Sequence, residues 1–142
     1  MKHVEKIILE FTKSKFKEFD LVIIPKENRS EALIFETTIN NEKQELLIKS
    51  INLDTEMSIK VPKVEFSKLK ENLWLVLVLI LENEVRGLYI INSKTVSKPD
   101  NYIFIDNETR YETLSNYEIK IFRSAFEELS KYSIENMIKS IK

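Results

Sequence analysis

Cysteine is absent from this 142-residue chain, and that absence removes disulfides, thiol nucleophiles and thiolate metal sites together. The composition suits a reducing compartment, and a cytoplasmic location is the expectation. Glycine occurs once, at Gly87, so the glycine-rich phosphate cradles of P-loop and Rossmann nucleotide folds are excluded. Histidine also occurs once, at His3, near the start of the chain, where a solvated side chain is expected. Ser-His-Asp chemistry therefore has no base in reach, and a histidine-based zinc site has no partners. Three prolines and no Gly/Ser tract leave nothing that reads as a linker, and the expectation is one domain over residues 1–142. Charge of one sign is lacking too. The 22 basic and 23 acidic residues alternate to a net charge of −1, which removes the net basic footprint usual in nucleic-acid binding. The first residues hold acidic side chains and do not form a signal-peptide core. No apolar run reaches the roughly 20 residues a membrane span needs.

What is present is hydrophobic patterning. Val4, Ile7, Ile8 and Phe11 recur at helical spacing and predict a helix ending near Glu18. Residues 19–24 predict a short apolar strand stopped by Pro25, and residues 32–38 a second strand. Asn40-Asn41 supplies a turn into a third strand over 44–51, so an antiparallel three-strand meander is the economical pairing. Residues 57–61 form a possible fourth strand. Pro62 stands where prolines start helices, with Phe66, Leu69 and Leu73 as the stripe that follows. The nine-residue run Leu73-Trp74-Leu75-Val76-Leu77-Val78-Leu79-Ile80-Leu81 favours a strand buried on both faces, with a buried helix turn as the competing reading; as a central strand it would be covered by helices on both sides. Residues 82–84 turn it back into a hairpin partner over 85–92. Residues 102–105 read as a short edge strand. Ser115 and Glu118 form an S-x-x-E capping box, which predicts a helix with Ile119, Phe122, Phe126 and Leu129 as its buried stripe. A change of phase at Tyr132-Ser133 separates a last helical segment carrying Ile134, Met137, Ile138 and Ile141. The class is α+β: a mixed central sheet with an N-terminal helix, the meander, a middle helix, a buried central strand and a C-terminal helix.

The leading helix, the strands Phe19-Asp20-Leu21-Val22-Ile23-Ile24 and Leu46-Leu47-Ile48-Lys49-Ser50, the middle helix, the apolar strand and Gly87-Leu88-Tyr89-Ile90-Ile91 carry a family likeness. From Val4 to about Val96 this order resembles the core of the restriction-endonuclease-like superfamily, the PD-(D/E)xK nucleases, including relatives in prokaryotic defence and mobile-element loci. The resemblance implies an acidic residue on one strand and a (D/E/Q)-x-K on the next, holding a divalent metal and a water. It points to Asp20, Glu36 and Lys49 as the catalytic set, with Asp20 and Glu36 as metal ligands and Glu10 nearby. The motif is interrupted in either register. With Lys49 as the motif lysine, Leu47 occupies the acidic position; with Glu36 as the motif acid, Thr38 occupies the lysine position.

Structural readings of the same residues stand beside this one. Asp20 can terminate the first helix, Glu36 can face outward on an alternating strand, and Lys49 can be its cross-strand ion-pair partner. Phe66, Trp74, Tyr89, Tyr102 and Phe104 read as core more than as a base-stacking platform. Lys60-Val61-Pro62-Lys63 and Lys68-Leu69-Lys70 are the candidate basic patch. The preferred expectation is a non-catalytic protein-interaction module, such as an immunity or inhibitor protein or a defence-system subunit, on a diverged nuclease-like fold. It implies a protein partner in preference to nucleic acid, no membrane, no cofactor, and a homo-oligomer as a possible state. The alternative is a metal-dependent nuclease or nucleic-acid-binding domain, which implies Mg or Mn.

Overall fold

The computed structural model describes residues 2–25, 34–66, 72–100 and 102–141. Helix α1 (Lys2–Lys17) buries Ile8, Thr12 and Phe16, one residue per turn on a single face, and the Thr12 hydroxyl donates back to the Ile8 carbonyl at 2.8 Å. It ends in a Schellman motif. Leu21 N–H bonds the Phe16 carbonyl and Asp20 N–H the Lys17 carbonyl, both at 3.0 Å, with Asp20 in the left-handed region at φ 60°. The apolar contact that usually seals this motif joins Leu21 and Phe16 in one core cluster. The expected strand over 19–24 is thereby shortened. Its first residues close the helix, and pairing begins only in β1 (Ile24–Pro25), where Pro25 lies within an edge strand instead of just beyond its end.

Strands β2 (Ile34–Ile39) and β3 (Glu42–Asn52) are joined by Asn40 and Asn41 at φ 52° and 68°. Two consecutive left-handed residues give the turn whose twist matches a hairpin, and asparagine tolerates that conformation. The second hairpin, β5 (Leu73–Leu81) to β6 (Glu84–Asn92), turns the same way at Glu82 and Asn83, with φ 54° and 63°. The large sheet has the order β1-β2-β3-β5-β6, with β3 and β5 parallel and every other pair antiparallel. The meander and the mixed central sheet are as expected.

A second, three-stranded antiparallel sheet has the order β4-β8-β7, from β4 (Ser58–Pro62), β7 (Phe104–Asn107) and β8 (Asn116–Lys120). Three corrections follow. The possible fourth strand exists but joins this second sheet. The S-x-x-E box at Ser115 and Glu118 starts no helix: Ser115 is buried, with its hydroxyl bonded to Thr109 N–H at 2.9 Å, and Glu118 lies in the middle of β8. Pro62 closes β4, and α2 (Lys63–Phe66) is a single turn; Lys68 to Lys70 and Leu69 lie outside the described residues.

The run Leu73–Leu81 is the strand expected, buried on both faces. Leu75, Leu77 and Leu79 pack toward the second sheet with Val61, Ile103 and Ile119. Val76 and Val78 pack toward α1 and α5 (Ile134–Ile141), with Ile8, Phe16, Ile134 and Ile138. The long helices cover one face. The other is covered mainly by a sheet, because the alternation of Tyr117, Ile119 and Ile121 in and around β8 gives that layer an apolar face of its own, with Phe66, Val96 and Leu129 of short helices packed into the same cluster. Short helices α3 (Ser93–Val96) and α4 (Phe126–Leu129) complete the fold, and α5 is separate from α4. No described helix is long and apolar enough to cross a membrane.

Candidate functional site

The three residues singled out by the family resemblance are not brought to one point. Asp20 is exposed and belongs to the helix layer, as the left-handed residue that ends α1. Glu10 is exposed on α1 in the same layer. Glu36 and Lys49 share the opposite face of the sheet, since Ile34 and Leu47, two residues from each, pack toward the second sheet. Glu36 is paired in register with Glu45, so Lys49 lies four residues farther along β3, about 13 Å at strand rise. The cation opposite Glu36 that a cross-strand ion pair would need is therefore an acid. Lys49 is held elsewhere: its ammonium donates to Glu65 Oε1 at 2.9 Å and lies 2.7 Å from Oε2, outside hydrogen-bond geometry for that oxygen. Among the described residues, no group of three or more Asp, Glu or His side chains is placed to share a metal ion.

The proposed basic patch is likewise divided. Lys63 contacts Asp106 at 2.6 Å and stands 4.9 Å over the Tyr117 ring, and the Asp106 hydrogen bond holds its pKa above the ordinary lysine value. Lys60 is exposed opposite Glu118 on the outer face of the second sheet. Glu118 accepts from the Ser58 hydroxyl at 2.7 Å and from the Asn107 amide at 2.9 Å, and these two bonds lower its pKa.

A different feature gathers at the end of the molecule where β3 and β5 finish. Met57, Tyr102 and Phe126 are 70%, 42% and 40% exposed, which is unusual for large apolar side chains. They are connected. Ile121 N–H bonds the Met57 carbonyl, and Phe122, next in the chain, meets Tyr102 edge-on at a centroid distance of 5.3 Å. The Tyr102 hydroxyl donates to the Ser124 carbonyl at 2.9 Å, two residues before Phe126. Phe126 in turn lines a depression of about 450 Å³ with Leu53, Leu79, Leu81, Arg86 and Tyr89. Sequence patterning alone assigned Phe122 and Phe126 to a buried helical stripe. With β8 in place of the first turns of that helix, the chain turns outward after Ile121; Phe126 opens α4 with its ring exposed, and Phe122 is half-buried against the core. No periodic signal marks this; the exposed position follows from the strand pairing.

A groove of about 360 Å³ lies between α1, α5 and β6, lined by Lys15, Glu135, Tyr89 and Phe11 among others. Lys15 and Glu135 face each other across it at 3.4 Å, and burial with the Glu135 charge raises the Tyr89 pKa.

No protein-family model, curated protein or solved structure matches this chain.

Proposed function

We propose that this chain is a non-catalytic protein-binding module, of the inhibitor or assembly-subunit kind, that docks a protein partner on the apolar end built from Leu53, Met57, Leu81, Tyr102, Phe122 and Phe126. The observation that carries the reading is the exposure of Met57, Tyr102 and Phe126 on segments tied together at Ile121, Phe122 and Ser124, with Phe126 lining an apolar depression. Contiguous apolar surface with a polar rim is what protein interfaces present, and aromatic, Met and Arg side chains are enriched in them. Methionine adapts its shape to a partner at little cost. Arg86 supplies the rim cation, exposed and shared between Glu82 and Glu84 at 3.3 and 3.4 Å. A protein fits this face better than nucleic acid, because its central groups are apolar and the chain carries no net positive charge. A cytoplasmic setting and ancestry in a nuclease-like fold belong to the same reading. Asp20, Glu36 and Lys49 do not form a remnant site in that reading, since they lie on different faces of the sheet, and Lys49 serves α2.

The test is site-specific photo-crosslinking in the native host, with the photoreactive residue at Phe126 and, as a control, at Glu10. A discrete adduct at Phe126 alone, identified and reconstituted from purified proteins, is expected. Phe126→Glu and Met57→Glu should each weaken the reconstituted complex by about 2 kcal/mol or more, the range of interface hot spots, with the fold retained. Equal adducts at both positions sink the docking face. Manganese- or magnesium-dependent cleavage of plasmid or single-stranded DNA, lost in Glu36→Ala or Lys49→Ala, overturns the non-enzymatic reading.

A further inference from the structure

The ladder between β4 and β8 decides which main-chain groups of β4 look outward. Ile121 N–H bonds the Met57 carbonyl at 2.8 Å, and Lys63 N–H bonds the Ser115 carbonyl at 3.0 Å. Both pairs continue the register Ile59↔Ile119 and Val61↔Tyr117. In an antiparallel pair the hydrogen-bonded residues alternate, so Met57, Ile59, Val61 and Lys63 direct N–H and C=O toward β8. Ser58, Lys60 and Pro62 direct theirs the other way, and β4 is an edge of its sheet. A depression of about 500 Å³ runs along this edge, lined by Glu56, Met57, Ser58, Ile59 and Lys60, five consecutive residues of one chain segment.

We infer that the β4 edge receives an extended strand of the protein partner, bonded to the main chain of Ser58 and Lys60, with apolar side chains toward Met57 and Ile59 and an acidic side chain toward Lys60. This rests on the protein-binding reading above and names the form the partner takes. A row of outward amides and carbonyls is matched by another extended backbone. The side-chain requirements come from the two faces of β4. On the inner face, Met57 stands 70% exposed beside buried Ile59, so an alternating apolar residue extends the core. On the outer face, Lys60 and Lys120 flank Glu118, which is already bonded to Ser58 and Asn107; Glu56 lines the other end of the depression, so an acid on the added strand is matched at Lys60 and repelled at Glu56. Pro62 has no N–H to offer and ends the edge, which limits the added strand to the stretch beside Ser58 and Lys60. The apolar end continues directly from Met57, so one partner can cover both.

Random-peptide display against the intact chain tests this. Lys60→Pro removes the outward N–H without touching the β8 ladder, and Pro62 already occupies the same kind of outward position one step along. Lys60→Ala removes the charge alone. Selected peptides should alternate apolar and acidic residues and bind Lys60→Pro at least about tenfold more weakly, with a smaller loss in Lys60→Ala. In the unmodified protein, the Ser58 and Lys60 amides should gain hydrogen-exchange protection on peptide binding, a readout that needs no variant to fold. Failure to select peptides, binding unchanged in Lys60→Pro, or protection confined to other amides overturns the inference. So does a dimer by light scattering that Lys60→Pro dissociates, since the occupant is then a second copy. Peptide binding that survives Phe126→Glu separates this edge from the apolar end: either can fail while the other stands.

Discussion

Lys49 and Glu65 meet in the gap between β3 and α2, with the ammonium 2.7 and 2.9 Å from the two carboxylate oxygens. Both side chains are about three-quarters covered, at 26% and 21% exposure, and Glu65 Oε2 is fully shielded from solvent. Removing Lys49 leaves that carboxylate buried without its counter-charge. Lys49→Met is expected to destabilise the fold by about 1–3 kcal/mol in urea denaturation, the cost of stranding a buried polar group. Lys49→Met with Glu65→Met should recover most of it, because a well-packed apolar pair replaces a partly desolvated ionic one with little loss. A double variant as unstable as the sum of the singles would show that the two side chains act independently.

The Glu118 carboxylate gives a pH dependence of definite sign. Hydrogen bonds from Ser58 and Asn107 lower its pKa in the folded state below the ordinary value of 4.5. A group whose folded pKa is depressed contributes stability above its unfolded pKa and loses it as pH falls through the folded value. Glu118→Gln should therefore be less stable than the parent near neutral pH, with the gap closing in acid below the usual glutamate range. Paired thermal melts across that range check this. Ser58→Ala should move the Glu118 titration, followed by carboxyl NMR, back toward the ordinary value.

Gly87 sits mid-strand in β6 without a positive φ, beneath the ring of Tyr89. A methyl group added there would meet the Tyr89 ring at 3.6 Å, an ordinary van der Waals contact. Gly87→Ala is expected to stabilise the protein by about 0.4–1 kcal/mol, chiefly by restricting the unfolded chain. A fall in the urea midpoint would mean that the bulge between Leu79 and Ile80 needs the freedom of glycine nearby.

Glu82 holds a left-handed conformation at φ 54°, which a side chain with a Cβ adopts at a cost. Its exposed ion pair with Arg86 at 3.3 Å contributes little. Glu82→Gly should raise stability by about 0.5–1 kcal/mol, because the turn keeps its Glu82 N–H bond to Asp54 and sheds the strain. Calorimetric melting of the single variant is the check.

The helix expected over residues 115–129 fails for one physical reason. Ile119, Phe122, Phe126 and Leu129 fit a helical period, while Tyr117, Ile119 and Ile121 fit a strand period, and the S-x-x-E box tips a local reading toward helix. The choice was made by partners remote in sequence. Ser58 to Pro62 and Phe104 to Asn107 flank β8 and satisfy its backbone from both sides, which a capping box cannot match. The same pairing put Glu118 between Ser58 and Asn107 and left Phe126 exposed, with Phe122 half-buried beside the core. The candidate site was illegible for this reason: its exposed members look like core in one dimension.

What the sequence determined by itself was local and covalent in origin. Nine consecutive apolar residues favoured a strand buried on both faces over a buried helix turn; Asn40-Asn41 and Glu82-Asn83 signalled tight turns; the absence of cysteine and the single glycine closed off whole chemistries. The helical stripe of α1, and the phase break before α5, were likewise set by spacing alone. Tertiary structure decided which layer covers each face of β5, which partner Lys49 takes, and which edge of β4 looks outward. Those outcomes depend on contacts between residues tens of positions apart, whose geometry is fixed only when two sheets and two helices close around one strand.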